Sequence, residues 1–165
     1  MTALDAAAPE RATSLWNLSF QGLLFTQFLT AVNDNIFRWL VIGIGKDHVE
    51  PSNVGVILTA GTACFVLPYL ILAAPAGYLA DRFNKQRVIV GCKVAEVIIM
   101  TVGVGAIWFE SLTGLFVVVA LMGAQSAIFS PSKLGAIPEI LHPRCISAAN
   151  GLFGLTTVSA TVVAM

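Results

Sequence analysis

Gly77-Tyr78-Leu79-Ala80-Asp81-Arg82-Phe83-Asn84-Lys85-Gln86-Arg87 is the stretch that decides how this chain is read. It separates two apolar runs, 54–76 and 88–109. A short basic turn between two runs of membrane length predicts a hairpin of two transmembrane helices. Gly77 allows a close helix approach. Asp81 and Arg82 mark where the chain meets water. Asn84 tolerates the left-handed backbone of a short turn. Lys85 and Arg87 hold the turn on the cytoplasmic side.

Composition agrees. Hydrophobic residues make up 57% of the chain and charged residues 11%, and the mean hydropathy is +0.85. Soluble domains carry about 25% charged residues, so the fold class is an all-α membrane protein. The net charge is zero, which points to no nucleic-acid partner. The lipid bilayer is the partner that the composition requires. Cys64, Cys92 and Cys145 show no metal or redox spacing, and their odd number argues against a disulfide framework. No Ser-His-Asp set, phosphate-cradling Gly loop or His-based metal site is present in the sequence. No cofactor, metal or enzymatic activity is therefore expected. Residues 1–17 lack the basic n-region and cleavage site of a signal peptide. They are expected to form a disordered cytoplasmic leader.

Working outward, the pattern predicts about five transmembrane helices. Helix 1 spans 18–44 and carries Asn33-Asp34-Asn35 and Arg38. A charge facing lipid at that depth costs on the order of 2.5–3.5 kcal/mol. Asp34 and Arg38 are four apart, so they can share one helix face and partly neutralise each other. That face looks into protein or a watery cavity. One reading is a structural ion pair; the other is a cavity-lining site. Helix 2 spans 54–79, with Pro68 and Pro75 expected to bend it. Helix 3 spans 88–108, with Lys93 and Glu96 near its cytoplasmic end and Lys93 expected to snorkel. Helix 4 spans 115–129 and is followed by a broken element over 129–139, since Pro131, Gly135 and Pro138 disfavour a straight helix. Lys133 lies in that element, which is tolerated where it lines a cavity. His142 reads as solvated. Helix 5 starts near 148 and is still apolar at Met165, so the chain is expected to be truncated in helix 5. Arg11, Arg82, Lys85, Arg87, Lys133 and Arg144 fall on one side and Lys46 on the other. The positive-inside rule then puts the N-terminus and loop 81–87 in the cytoplasm.

The spacing of Gly77, of Leu79-Ala80-Asp81-Arg82, and of Lys85 and Arg87 resembles the signature loop between helices 2 and 3 of the major facilitator superfamily. It departs at Asn84, where Gly is usual, and at Gln86, where a second basic residue is common. Three segments together resemble one family within it. They are Phe28 through Arg38, the signature loop, and Gln125 through Glu139 with Ala149-Asn150-Gly151-Leu152. This looks like the bacterial lysophospholipid transporter family, whose members occur alone or fused to an acyltransferase and a ligase.

The resemblance implies alternating access between two six-helix halves about a central cavity. Residues 18–165 would then be a partial N-terminal transmembrane half in the cell inner membrane. It implies a transport role for Asp34 and Lys133, with Asn33 and Arg38 beside them as substrate-binding candidates. It implies a gating role for Gly77, Asp81, Arg82, Lys85 and Arg87. A lysophospholipid head group carries a phosphate and often an amine, so Asp34 could meet the amine and Lys133 the phosphate. Leu29, Ile36, Phe37 and Phe129 are expected to line the acyl chain. Transport of another small solute, or service as the membrane part of a fused acyltransferase, are the alternatives.

Overall fold

The computed structural model describes residues 14–164; most of the expected leader, with Arg11, lies outside them. Five long helices follow in order: α1 (Leu18–Asp47), α2 (Val54–Arg82), α3 (Lys85–Trp108), α4 (Leu112–Ile140) and α5 (Ile146–Val163). One-turn helices at Pro51–Asn53 and Pro143–Cys145 lead into α2 and α5. Among the described residues, four of these segments are long and apolar enough to cross a membrane. α1, at 30 residues, is long enough too, but its polar residues hold its hydropathy down.

α4 is the hub. It packs most extensively against α2 and α3, and also against α1; α1 in turn packs against α5 and α2. In lipid, apolar burial alone gives little drive for helices to associate, so small residues and cross-helix hydrogen bonds carry the packing. The tightest approach is at Gly123 of α4. A Cβ there would lie 2.2 Å from the Phe65 carbonyl oxygen of α2. Gly77, by contrast, faces open space, and a Cβ there would meet nothing within 4 Å. It is therefore no helix contact within these residues.

The buried apolar residues form two clusters at two levels. One joins Phe20 and Leu23 of α1, Ala136 and Ile137 of α4, and Ala149 and Phe153 of α5. The other joins Phe37 and Val41 of α1 to Leu115, Val118, Val119 and Met122 of α4. Between them, on both α1 and α4, lie the polar residues 27–34 and 125–133. The chain thus sandwiches a polar layer between two apolar plugs.

Four expectations are corrected. α4 runs unbroken through Pro131, Gly135 and Pro138. Each proline removes one backbone hydrogen bond, but neighbouring helices hold the segment, as membrane helices allow. Second, α2 continues through Arg82 and α3 begins at Lys85, so Asp81, Arg82, Lys85 and Arg87 are helical and the connection is only Phe83 and Asn84. Third, Asn84 is not left-handed. Its φ is −59°, and its side chain caps α3 by accepting from the Gln86 and Arg87 amides. Fourth, His142 is half-buried and accepts from the Arg144 amide, opening the turn before α5.

Candidate functional site

The polar layer is built on one face of α1. Gln27, Thr30, Ala31, Asp34, Asn35 and Arg38 follow the spacing i, i+3, i+4, i+7, i+8, i+11, which places them in a single stripe. They line a cavity of about 180 Å³, closed by Phe65 and Tyr69 of α2, Ser126, Phe129 and Lys133 of α4, and Thr157 of α5.

Asp34 and Lys133 both reach this cavity, but they do not pair. Ser126 Oγ donates to Asp34 Oδ2 at 2.7 Å. Asp34 Oδ1 is buried and has no hydrogen-bond partner among the described residues. Lys133 Nζ donates to Gln27 Oε1 at 2.6 Å and lies 5.0 Å from the Phe129 ring centroid. Gln27 is oriented from behind, its amide donating to Thr157 Oγ1 at 3.0 Å. An ammonium held by a neutral amide, and a carboxylate with a free buried oxygen, leave both charges open to a ligand.

Arg38 also lines the cavity. Its Nη2 donates to Asn35 Oδ1 at 2.7 Å, and its guanidinium sits 5.7 Å from the Phe65 ring centroid. Asp34 and Arg38 therefore form no ion pair, although their spacing allows one; the two ion pairs among the described residues are Lys85–Glu139 and Lys93–Glu96. Asn33 points elsewhere. It donates to Glu96 Oε1 at 3.3 Å across a groove of about 720 Å³ between α1 and α3. A helix turns 100° per residue, so Asn33 and Asp34 face different neighbours.

Lys93 does not snorkel to the membrane surface. Its ammonium bonds Thr30 of α1 and Glu96, and lies 4.5 Å from the Phe129 ring centroid. Phe129 thus carries Lys93 and Lys133 together. The signal in the sequence is the i, i+3 charge pair inside an apolar run.

The expected tail residues are not gathered. Leu29 lines the α1–α3 groove, Ile36 is exposed, and Phe37 is buried in the second apolar cluster. A cavity of about 580 Å³ between α4 and α5 shares Gln27, Ser130, Lys133 and Thr157 with the polar cavity. Its remaining walls include Leu134, Ile137 and Phe153. Lys133 therefore stands where the two chambers meet.

The signature residues lie at the far end of α2 and the start of α3. Arg82 Nη1 donates to Tyr78 Oη at 3.0 Å and its guanidinium lies 5.9 Å from that ring. Lys85 pairs with Glu139 of α4. Asp81 and Arg87 are exposed.

A model of the Major Facilitator Superfamily matches residues 23–165. The chain is 30% identical over 154 residues to the lysophospholipid transporter LplT of Pectobacterium carotovorum subsp. carotovorum (strain PC1), covering 92% of this chain and 35% of that protein. It is 30% identical over 152 residues to the LplT of Serratia proteamaculans (strain 568), covering 90% and 35%. The LplT of Yersinia pestis (strain Pestoides F) is 28% identical over 152 residues, covering 90% and 34%. The chain thus spans about a third of the length of the curated relatives it matches. No solved structure matches it.

Proposed function

The chain belongs to the Major Facilitator Superfamily, and from that premise we propose that it supplies the first five helices of a transporter that moves lysophospholipid across a bacterial inner membrane by alternating access. Asp34 takes the amine of the head group and Lys133 its phosphate. Arg38 borders the same chamber. Asn33, which faces Glu96, helps to hold α1 against α3 instead.

The observation that carries this reading is the separation of the two charges. Each is held by a neutral partner, Ser126 or Gln27, and Lys133 also lines an adjoining chamber whose walls include Leu134, Ile137 and Phe153. A lysophospholipid has that chemistry, two opposite charges beside one acyl chain. A neutral sugar would leave both charges unmatched, at the cost of a buried unpaired ion. The relatives are lysophospholipid transporters, which agrees with this substrate.

The N-terminus and residues 81–87 are cytoplasmic in this reading, because most basic residues gather at that end. Asp81, Arg82 and Lys85 act there on the balance between access states. The test is uptake of labelled lysophosphatidylethanolamine by vesicles carrying the complete transporter. Lys133→Ala and Asp34→Ala are expected to insert normally and to lose uptake. Wild-type uptake by both variants would overturn the assignment.

A further inference from the structure

A second apolar chamber lies outside the polar layer. It is a slot of about 440 Å³ between α2 and α3, with α4 behind it. Leu79, Phe83, Val88, Gly91 and Ala95 line it, and Arg87 stands among them. Gly91 and Ala95 follow Arg87 at i+4 and i+8, so the guanidinium and the two small residues share one face of α3. A Cβ on Gly91 would meet nothing within 4 Å. The small residues therefore leave a trough running along α3 away from Arg87.

The three basic residues at this end of the helices differ in how their charge is used. Arg82 lies on Tyr78, and Lys85 pairs with Glu139. The Arg87 side chain is exposed and makes no hydrogen bond or ion pair among the described residues. α3 also begins here, so its positive end adds to the same field. An unpartnered guanidinium over an apolar trough complements a phosphate with an acyl chain beneath it.

The geometry points to a site for an anionic phospholipid: its phosphate on Arg87, one acyl chain in the α2–α3 slot. This lipid is a resident ligand and not the transported molecule, so the site stands or falls independently of the substrate. Gln125 and Ile128 of α4 form its floor.

The complete chain is reconstituted in bilayers with a trace of chain-labelled photoactivatable phosphatidylglycerol or, separately, phosphatidylcholine. Adducts within residues 88–95 are counted by mass spectrometry. Phosphatidylglycerol is expected to label that segment roughly five-fold more than phosphatidylcholine, the preference one interfacial arginine supplies. Arg87→Gln is expected to bring the ratio to about one. Ala95→Phe and Gly91→Leu, which fill the trough and keep the charge, are expected to suppress labelling by both lipids. Equal labelling of the wild type by the two lipids would overturn the site. So would a preference that survives Arg87→Gln, which would assign it to the general surface charge. Labelling unmoved by both trough-filling variants would leave annular lipid only.

Discussion

Phe129 stands between two lysines, and the two are held differently. Lys93 bonds Thr30 and is neutralised by Glu96 on its own helix, whose other carboxylate oxygen takes Asn33. Lys133 has a neutral partner, Gln27, and the nearest carboxylate in its chamber, Asp34, is bonded to Ser126 instead. One cluster is electrically closed and the other is open. A closed pair inside a membrane needs nothing further from its surroundings. An open pair costs free energy until something fills it. The difference separates two jobs that look alike in the sequence, where both are a lysine and an acid in apolar surroundings.

The largest expected effect follows from the open side. Lys133→Ala and Asp34→Ala each remove a charged hydrogen-bonding group from the ligand. That is worth about 1.5–3 kcal/mol, or roughly ten- to 150-fold in transport efficiency. Insertion and thermal stability should hold or improve, since an unmatched buried charge has gone. A loss of folded protein matching the loss of transport would show that this cluster is closed too, through a partner elsewhere in the transporter.

The closed side should behave in the opposite way. Glu96→Gln leaves Lys93 without its countercharge, and breaking a buried pair costs about 3–5 kcal/mol. Both side chains are partly open, at 29% and 15% exposure, so the lower end or less is expected. The measurable outcome is a lower melting temperature in detergent. The double change Lys93→Met with Glu96→Leu should regain most of it, because an apolar pair of similar size is often as stable. Head-group preference should stay as in the wild type. A changed preference in the rescued double variant would move Lys93 into the binding site.

Arg38 sharpens the same contrast on α1. If Asp34 were in a structural pair with Arg38, Asp34→Asn with Arg38→Gln would restore both folding and transport. Arg38 instead bonds Asn35 and lies against Phe65, so no rescue of transport is expected. Arg38→Gln alone should cost about 2 kcal/mol, the low end for one bond from a charged group plus one cation–π contact.

Much of this is legible in the sequence. The all-helical membrane fold and a pair of helices joined within 77–87 follow from hydropathy and basic flanks, whereas a shared site for Asp34 and Lys133 is what the family resemblance implies. The rest depends on tertiary contacts. Pro131 and Pro138 obey a local rule that breaks helices, yet α4 is clamped by its neighbours along its whole length and continues. Lys93 is long enough to snorkel, but Thr30 and Phe129 come within its reach only once α1 and α4 are assembled. Gln27 is readable, since it shares the i, i+7 face with Asp34. Asn33 is the opposite case: it adjoins Asp34 in sequence but not on the helix face, and so it meets Glu96 rather than the cavity.

The smallest effect concerns the residue that fixes where α3 begins, and with it the register that brings Lys93 to Thr30. Asn84 has φ −59° and its side chain takes the Gln86 and Arg87 amides at 3.0 and 3.4 Å. As a cap, it ranks with Asp and above Gly, and Ala is worst. Asn84→Asp should therefore leave stability unchanged, Asn84→Gly should cost a few tenths of a kcal/mol, and Asn84→Ala about 1 kcal/mol. A left-handed turn residue gives another order, with Gly best of all, since only Gly adopts that backbone freely. Melting temperatures of the three variants decide between the two orders. Stabilisation by Gly would mean that the connection between α2 and α3 is a left-handed turn. The capped start of α3, and the register it gives the closed cluster, would then be wrong.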